Sequence, residues 1–146
     1  MNNFLSEIFE RDLLKLKEEL TNFKDEANIW KTTDGVSNSA GNLALHLMGN
    51  LHHFIGAMLG NTGYVRKRDE EFSQKNISRE EMLANIDKVI AMVPRVLNSL
   101  TTAQLQQDFP FEVFGKRQTE FYLMHFYGHL SYHLGQINYL RRILEA

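Results

Sequence analysis

Apolar residues recur at intervals of three and four residues along four long stretches of this 146-residue chain. This is the period of an α-helix, in which side chains three and four positions apart lie on one face. The stretches run from Phe4 to about Trp30, from Ser39 to about Leu59, from Arg79 to about Leu100, and from Thr119 to about Leu144. No stretch alternates in the manner of a strand. The sequence therefore predicts an all-α fold, a four-helix bundle formed by a single domain over residues 1–146.

Residues that cap helices stand at the start of each stretch. Ser39 and Ser78 are predicted N-caps of the second and third helices, Thr119 of the fourth, and Asn2 or Asn3 of the first. The connection GNTGYVRKRDEEFSQKN is predicted to be a loop. The stretch TTAQLQQDFPFEVFGKRQ is expected to be irregular, with a short helical turn and an extended piece at FEVF.

Composition excludes several classes of function. The chain has no cysteine, which excludes a disulfide scaffold, a thiolate metal site and a cysteine nucleophile. The net charge of −2 offers no general attraction for nucleic acid or an anionic membrane, so neither is expected as a partner. The N-terminal residues carry charges every few positions, unlike a signal peptide, and a cytoplasmic protein is expected.

Three histidines lie within the apolar face of the last predicted helix. His125, His129 and His133 follow one another at four-residue steps, and Gln136 shares their side of the helix. Buried polar groups need partners, and two imidazoles at i and i+4 can converge on one metal ion. One ion cannot readily take all three, because the outer pair is about 12 Å apart along the axis. His125 is therefore expected to support the site, while hydrogen-bonded core histidines remain the alternative to a metal site.

The second predicted helix offers a further ligand. His46 and His53 flank its apolar face, whereas His52 points to the opposite side. Asn50 follows His46 by one turn and could hydrogen-bond a ligand. The spacing alone leaves both His46 and His53 as candidates.

The segments LMHFYGHLSYHLGQINYLRRIL and LALHLMGNL resemble the DinB/YfiT superfamily of metal-dependent proteins over nearly the whole chain. NLHHFIGAMLGNTGYVRKRDEEF resembles a branch whose members are mostly of unknown function. The resemblance implies a bundle with one divalent metal held by His46, His129 and His133. In this comparison His125 matches a position that is often histidine without being the usual ligand. Relatives include transferases that act with low-molecular-weight thiols, and many proteins without an assigned activity.

Three neutral nitrogens would leave open positions on the metal, as in catalytic sites. Zinc or nickel suits imidazole, with iron or manganese as alternatives. Because the chain lacks cysteine, a thiol would arrive as a substrate. Two functions follow as expectations: a thiol-dependent transferase or hydrolase acting on a small molecule, or a non-catalytic or stress-associated protein in which the ion is mainly structural.

Residues beyond the histidines could complete such a site. Asn50, His125 and Gln136 are expected to support the ligands by hydrogen bonds. Asp69, Glu70 and Glu71 could fold over the site, but a solvated charged loop is the preferred interpretation. Arg66 and Arg68 are likewise expected at the surface, with binding of an acidic substrate as the alternative.

Three glycines share one side of the second helix. Gly49, Gly56 and Gly60 each weaken a helix relative to alanine, so their alignment suggests close approach of another helix or room for a substrate. A homodimer is expected, with this glycine face in the interface or lining the adjoining pocket.

Overall fold

The computed structural model describes residues 2–146, with side chains from Phe4 onward. The predicted caps Asn2 and Asn3 therefore lie outside the described side chains. The elements in chain order are α1 (Asn2–Asn22), a 3₁₀ turn (Glu26–Trp30), α2 (Ala40–Leu51), a π-helical segment (His52–Ala57), α3 (Met58–Gly60), α4 (Arg68–Ser73), α5 (Arg79–Ser99), α6 (Thr102–Gln106) and α7 (Thr119–Leu144). Over residues 2–146 the structure has no strand, only an isolated bridge between Asp108 and Gln118. The predicted all-α fold is confirmed.

The core lies between α1, α2, α5 and α7. α1 packs along α5 and α7, and α2 packs against α7 and α5. Each long helix contributes fully buried apolar side chains, among them Phe9, Leu13, Leu16, Leu47, Leu51, Ile86, Val93, Tyr122, Phe126 and Leu130. This arrangement brings the histidine-bearing faces of α2 and α7 together.

Two of the three predicted caps with described side chains are confirmed. The Ser39 hydroxyl accepts the N–H of Asn42 at 3.1 Å, and the Ser78 hydroxyl accepts the N–H of Glu81 at 3.2 Å. The prediction for Thr119 is wrong, because Gln118 is the N-cap and Thr119 is the first helical residue. The buried Thr119 hydroxyl instead donates to the Gln107 carbonyl at 3.0 Å.

The first helix is shorter than predicted. It ends at Asn22 rather than near Trp30, and a 3₁₀ turn follows. The N–H groups of Lys24 and Asp25 donate to the Glu145 carboxylate at the end of α7, at 2.9 and 3.0 Å. This long-range contact satisfies backbone groups that a continuing helix would have paired within itself.

The second predicted helix is continuous but not uniformly α-helical. After α2 the chain forms a π-helical segment over His52–Ala57, before a short α-helical turn ends at Asn61 in the left-handed conformation, with φ 51°. π-helical turns widen the helix and occur frequently at functional sites. They also shift the faces of all later residues relative to an ideal α-helical wheel. The following connection, predicted to be a loop, contains the short helix α4.

The same chain covers the glycine face. A Cβ atom on Gly49 would lie 1.9 Å from Glu71 Oε2, and one on Gly60 would lie 2.5 Å from Val96 Cγ2. At Gly56 it would lie 3.2 Å from Thr62 Oγ1. The predicted close approach is therefore made within the chain at these positions, and a second subunit on this face stays a prediction. The homodimer itself stays a prediction.

Candidate metal centre

Three histidines from two helices meet in the bundle. His46 lies in the middle of α2, and His129 and His133 lie one turn apart on α7. Each offers one ring nitrogen such that all three nitrogens lie within 4.8 Å of one another. The Nε2 atoms of His46 and His129 are 3.0 Å apart. The packing of α2 on α7 thus joins the i, i+4 pair that the sequence indicated with a histidine 83 residues away.

The cluster is shielded from solvent to different degrees. His46 is 8% exposed, while His129 and His133 are half-buried. Burial, with repulsion from the neighbouring histidines, lowers the pKa of His129 from 6.5 to about 3. Burial also lowers the pKa of His133, although its hydrogen bond to Gln136 opposes the shift. Both rings are neutral at neutral pH, which is the form that ligates metals.

Two of the imidazoles have their outer nitrogen engaged by an oxygen acceptor. His46 Nδ1 lies 3.0 Å from Glu71 Oε1, and His133 Nδ1 lies 2.7 Å from Gln136 Oε1. Carboxylate and amide oxygens accept hydrogen bonds, so each Nδ1 carries the hydrogen and each Nε2 carries the lone pair. Metal-ligating histidines in proteins are oriented in this manner.

Glu71 is held in place by an arginine as well as by His46. Arg66 Nε donates to Glu71 Oε2 at 2.9 Å, and a terminal nitrogen of Arg66 donates to Oε1 at 2.9 Å. Burial would raise the pKa of Glu71, but the hydrogen bonds from His46 and Arg66 outweigh it and leave this pKa below its ordinary value. Both oxygens of the Glu71 carboxylate thus accept hydrogen bonds, one from Arg66 alone and the other from Arg66 and His46.

The preferred sequence interpretation of this segment was partly wrong. Asp69 and Glu70 are exposed, as a solvated loop requires, but Glu71 is only 6% exposed. Arg66, expected at the surface, is half-buried over the ring of Phe54. No local signal separates Glu71 from Glu70, because only the packing of α4 on α2 decides which of them is buried.

The remaining sequence-predicted residues have different surroundings. Gln136 contacts the cluster through His133. Asn50 is buried, and its Oδ1 has no hydrogen-bond partner among the described residues. His125 packs against Phe114, with ring centroids 4.6 Å apart, and lies outside the cluster.

The other two histidines of the second helix also lie outside the cluster. His52 stacks on Tyr64 at 4.7 Å, and His53 contacts the ring of Phe54. The packing of α2 on α7 therefore selects His46, rather than His53, as the histidine that joins the pair on α7.

The donor set fits a divalent ion. His46 Nε2 carries a lone pair, so at 3.0 Å it either accepts a hydrogen bond from the Nε2–H tautomer of His129 or shares a cation with His129 Nε2. The buried Nδ1 of His129 has no hydrogen-bond partner in residues 2–146, so this ring engages polar partners only through Nε2. Three neutral nitrogens leave coordination positions free for other ligands.

A cleft reaches one member of the cluster. Its volume is about 540 Å³, and its lining comprises Gly35, Val36, Ser37, Asn38, Leu43, Tyr132, His133, Gln136, Tyr139, Leu140 and Ile143. Volumes of this size are typical of small-molecule sites. Apart from His133, the lining has no side chain that readily carries a charge near neutral pH.

Fold and site together define an all-α bundle protein with a three-histidine cluster that could hold a metal ion. The chain belongs to the family described as protein of unknown function (DUF1572), whose model matches residues 3–146. Among curated proteins, none matches the chain. None of the helices described for residues 2–146 has the length and apolarity needed to cross a membrane.

Proposed function

We propose that the protein binds one divalent metal ion through His46, His129 and His133 and acts as a metal-dependent enzyme of the DinB/YfiT type. The reaction proposed is transfer to or from a low-molecular-weight thiol, or hydrolysis of a small molecule. The observation that carries the proposal is the convergence of three ring nitrogens within 4.8 Å, two of them on imidazoles whose Nδ1 is already engaged. Zinc or nickel is the proposed metal, with iron or manganese as alternatives.

The residues of the chain prepare the site before any ligand arrives. Glu71 and Gln136 fix two ring orientations, and burial keeps His129 neutral. When bound, a divalent ion with open positions supplies Lewis acidity and lowers the pKa of a coordinated water or thiol. The cleft beside His133 offers space for a small molecule with an apolar body.

A structural ion is the second candidate, and one observation favours it. Glu71 is the carboxylate bonded to the cluster, and both its oxygens are occupied by His46 and Arg66. Its lowered pKa makes it a poor proton acceptor. Gln136 and Asn50 cannot act as bases. In this alternative the ion mainly ties α2 to α7.

Metal content of variants tests the proposed ligands. Purified protein is stripped with a chelator, reloaded with Zn²⁺ or Ni²⁺, and analysed by elemental analysis and chelator competition. His133→Ala should lose more than the roughly 100-fold in affinity that removal of an outer hydrogen-bond partner costs. His52→Ala is the matched control, because His52 lies outside the cluster, and it should retain the wild-type affinity. Equal metal content in both variants contradicts the ligand assignment.

Turnover separates the two candidate functions. The metal-loaded protein is assayed with low-molecular-weight thiols and electrophiles and with hydrolysable esters and amides. A metal-dependent rate that His133→Ala abolishes supports the enzyme. Metal binding that raises the unfolding temperature without any turnover supports the structural ion. Sedimentation of the same samples tests the homodimer.

A further inference from the structure

The short helix α4 lies across α2 directly beside the histidine cluster. Three α2 residues at successive turns receive it: Asn42, His46 and Gly49. The Asn42 side-chain amide donates to the carbonyls of Glu71 and Gln74, both at 2.9 Å. The contact between α4 and α2 is therefore held at one end by hydrogen bonds from Asn42 to the backbone of the α4 segment, and at its centre by the hydrogen bond between Glu71 and His46.

Because Gly49 has no side chain, it leaves room for the Glu71 carboxylate against α2. A Cβ atom on Gly49 would lie 1.9 Å from Oε2 and 2.5 Å from Cδ of Glu71. Both atoms belong to the carboxylate that His46 and Arg66 hold, so that carboxylate would have to leave its position. Glycine weakens a helix interior relative to alanine, and this contact supplies the reason for its presence here.

The connection before α5 carries both the carboxylate and the residue that anchors it. Arg66 stands just before α4 and binds both oxygens of Glu71. Phe72 follows Glu71, and its ring centroid lies 4.9 Å from that of His46. Asp69 and Glu70 of the same helix are exposed, so α4 directs one acidic side chain to the cluster.

We propose that α4 is a latch on the metal centre, in which docking of α4 and metal binding at His46 stabilise each other. The inference rests on the proposed function. A carboxylate on Nδ1–H increases the basicity of Nε2, and a cation on Nε2 makes Nδ1–H a stronger donor to the carboxylate. Because coupling between two equilibria is reciprocal, metal should hold α4 closed to the extent that Glu71 strengthens metal binding. Glu71 is thus a positioning residue that acts through His46.

The affinity for Zn²⁺ is the first measurement. Glu71→Gln keeps the size of the side chain but removes its charge, and Zn²⁺ affinity measured by chelator competition should fall 10- to 100-fold. Glu70→Gln makes the same change at the exposed neighbour and should leave the affinity unchanged. Co²⁺-loaded samples give an independent readout, because the visible spectrum of Co²⁺ reports a change in ligand geometry.

Hydrogen exchange of the α4 segment is the second measurement. In the wild type and in Glu70→Gln, Zn²⁺ should slow amide exchange across residues 67–75. In Glu71→Gln the slowing should be lost, since His46 no longer has a charged partner on α4. A merely structural role for Glu71 would change exchange equally with and without Zn²⁺.

Gly49→Ala tests whether the space at Gly49 is needed to place the Glu71 carboxylate, while Glu71 itself is retained. It should lower Zn²⁺ affinity in the manner of Glu71→Gln, although alanine favours the helix. Gly135→Ala in α7, where an added Cβ meets no atom within 4 Å, is the matched control. If circular dichroism shows that Glu71→Gln does not fold, the comparison of Gly49→Ala with Gly135→Ala still tests whether the position of Glu71 affects Zn²⁺ affinity.

The outcomes separate the latch from the proposed function. A wild type that binds neither Zn²⁺ nor Ni²⁺ overturns the metal site and the latch with it. A wild type that binds Zn²⁺, with unchanged affinity and unchanged α4 protection in Glu71→Gln and Gly49→Ala, overturns the latch and leaves the proposed metal site standing.

Discussion

Acidification should destabilise the metal-free protein through His129. Burial, followed by repulsion from His133 and His46, lowers the pKa of this imidazole from 6.5 to about 3. Because the folded-state pKa is the lower one, the unfolded chain binds the proton first. Stability is therefore complete above the unfolded pKa and falls as the pH drops from 6.5 towards 3.

The magnitude follows from the same two pKa values. About two pH units separate 6.5 from pH 4.5, and each unit is worth about 1.36 kcal/mol, so His129 should cost at most about 2–3 kcal/mol of stability at about pH 4.5, and less to the extent that solvent screens this half-buried ring. Urea unfolding with a chelator present, at about pH 7.5 and about pH 4.5, measures the change. In His129→Gln the loss on acidification should be smaller than in the wild type by this amount.

The comparison removes the contribution of His125 and most of that of His133, because both also have lowered pKa values and titrate in both proteins. Titration of the imidazole NMR signals is the direct check. Parallel stability curves for wild type and His129→Gln, or a His129 signal that titrates near 6.5, would refute the reasoning.

Two further predictions concern packing, and both are read by urea unfolding. Gly60→Ala should destabilise the protein by about 1–3 kcal/mol, because its Cβ would lie 2.5 Å from Cγ2 of buried Val96. Gly128→Ala has open space around its Cβ and should stabilise the protein by up to about 1 kcal/mol. Stability changes of the same sign in both variants would contradict this prediction. Tyr122→Phe should cost about 1–3 kcal/mol and speed proteolysis of the loop before α7, because the hydroxyl accepts two backbone N–H groups and donates to the Gly115 carbonyl. Unchanged proteolysis would show that this hydroxyl does not hold the loop.

Much of the fold could be predicted because its signals are local. The apolar spacing that indicates α5 is a property of residues within one or two turns of each other, and Ser78 caps that helix through the N–H three residues later. The pairing of His129 with His133 is equally local, since residues four apart share a helix face wherever the helix lies.

Features that depend on distant segments were missed for one physical reason. Thr119 is a good cap by residue type, but its hydroxyl is taken by the Gln107 carbonyl. α1 stops at Asn22, where Glu145 from the far end of the chain binds the backbone that follows. In each case a long-range hydrogen bond outweighs a local preference worth about 1 kcal/mol.

The sequence by itself determined the helices, two of their caps, and the histidines that face the core. The spacing left His46 and His53 open and the resemblance indicated His46; the tertiary structure brings His46 to the pair on α7, and it alone decided that Glu71 rather than Glu70 stands behind it. Helical periodicity is set by hydrogen bonds and side-chain contacts between residues a few positions apart, so it can be recognised in each segment without knowing the rest of the fold. Burial of a charged side chain depends on which surface the whole chain presents to it, here the bare backbone of Gly49 and the guanidinium of Arg66.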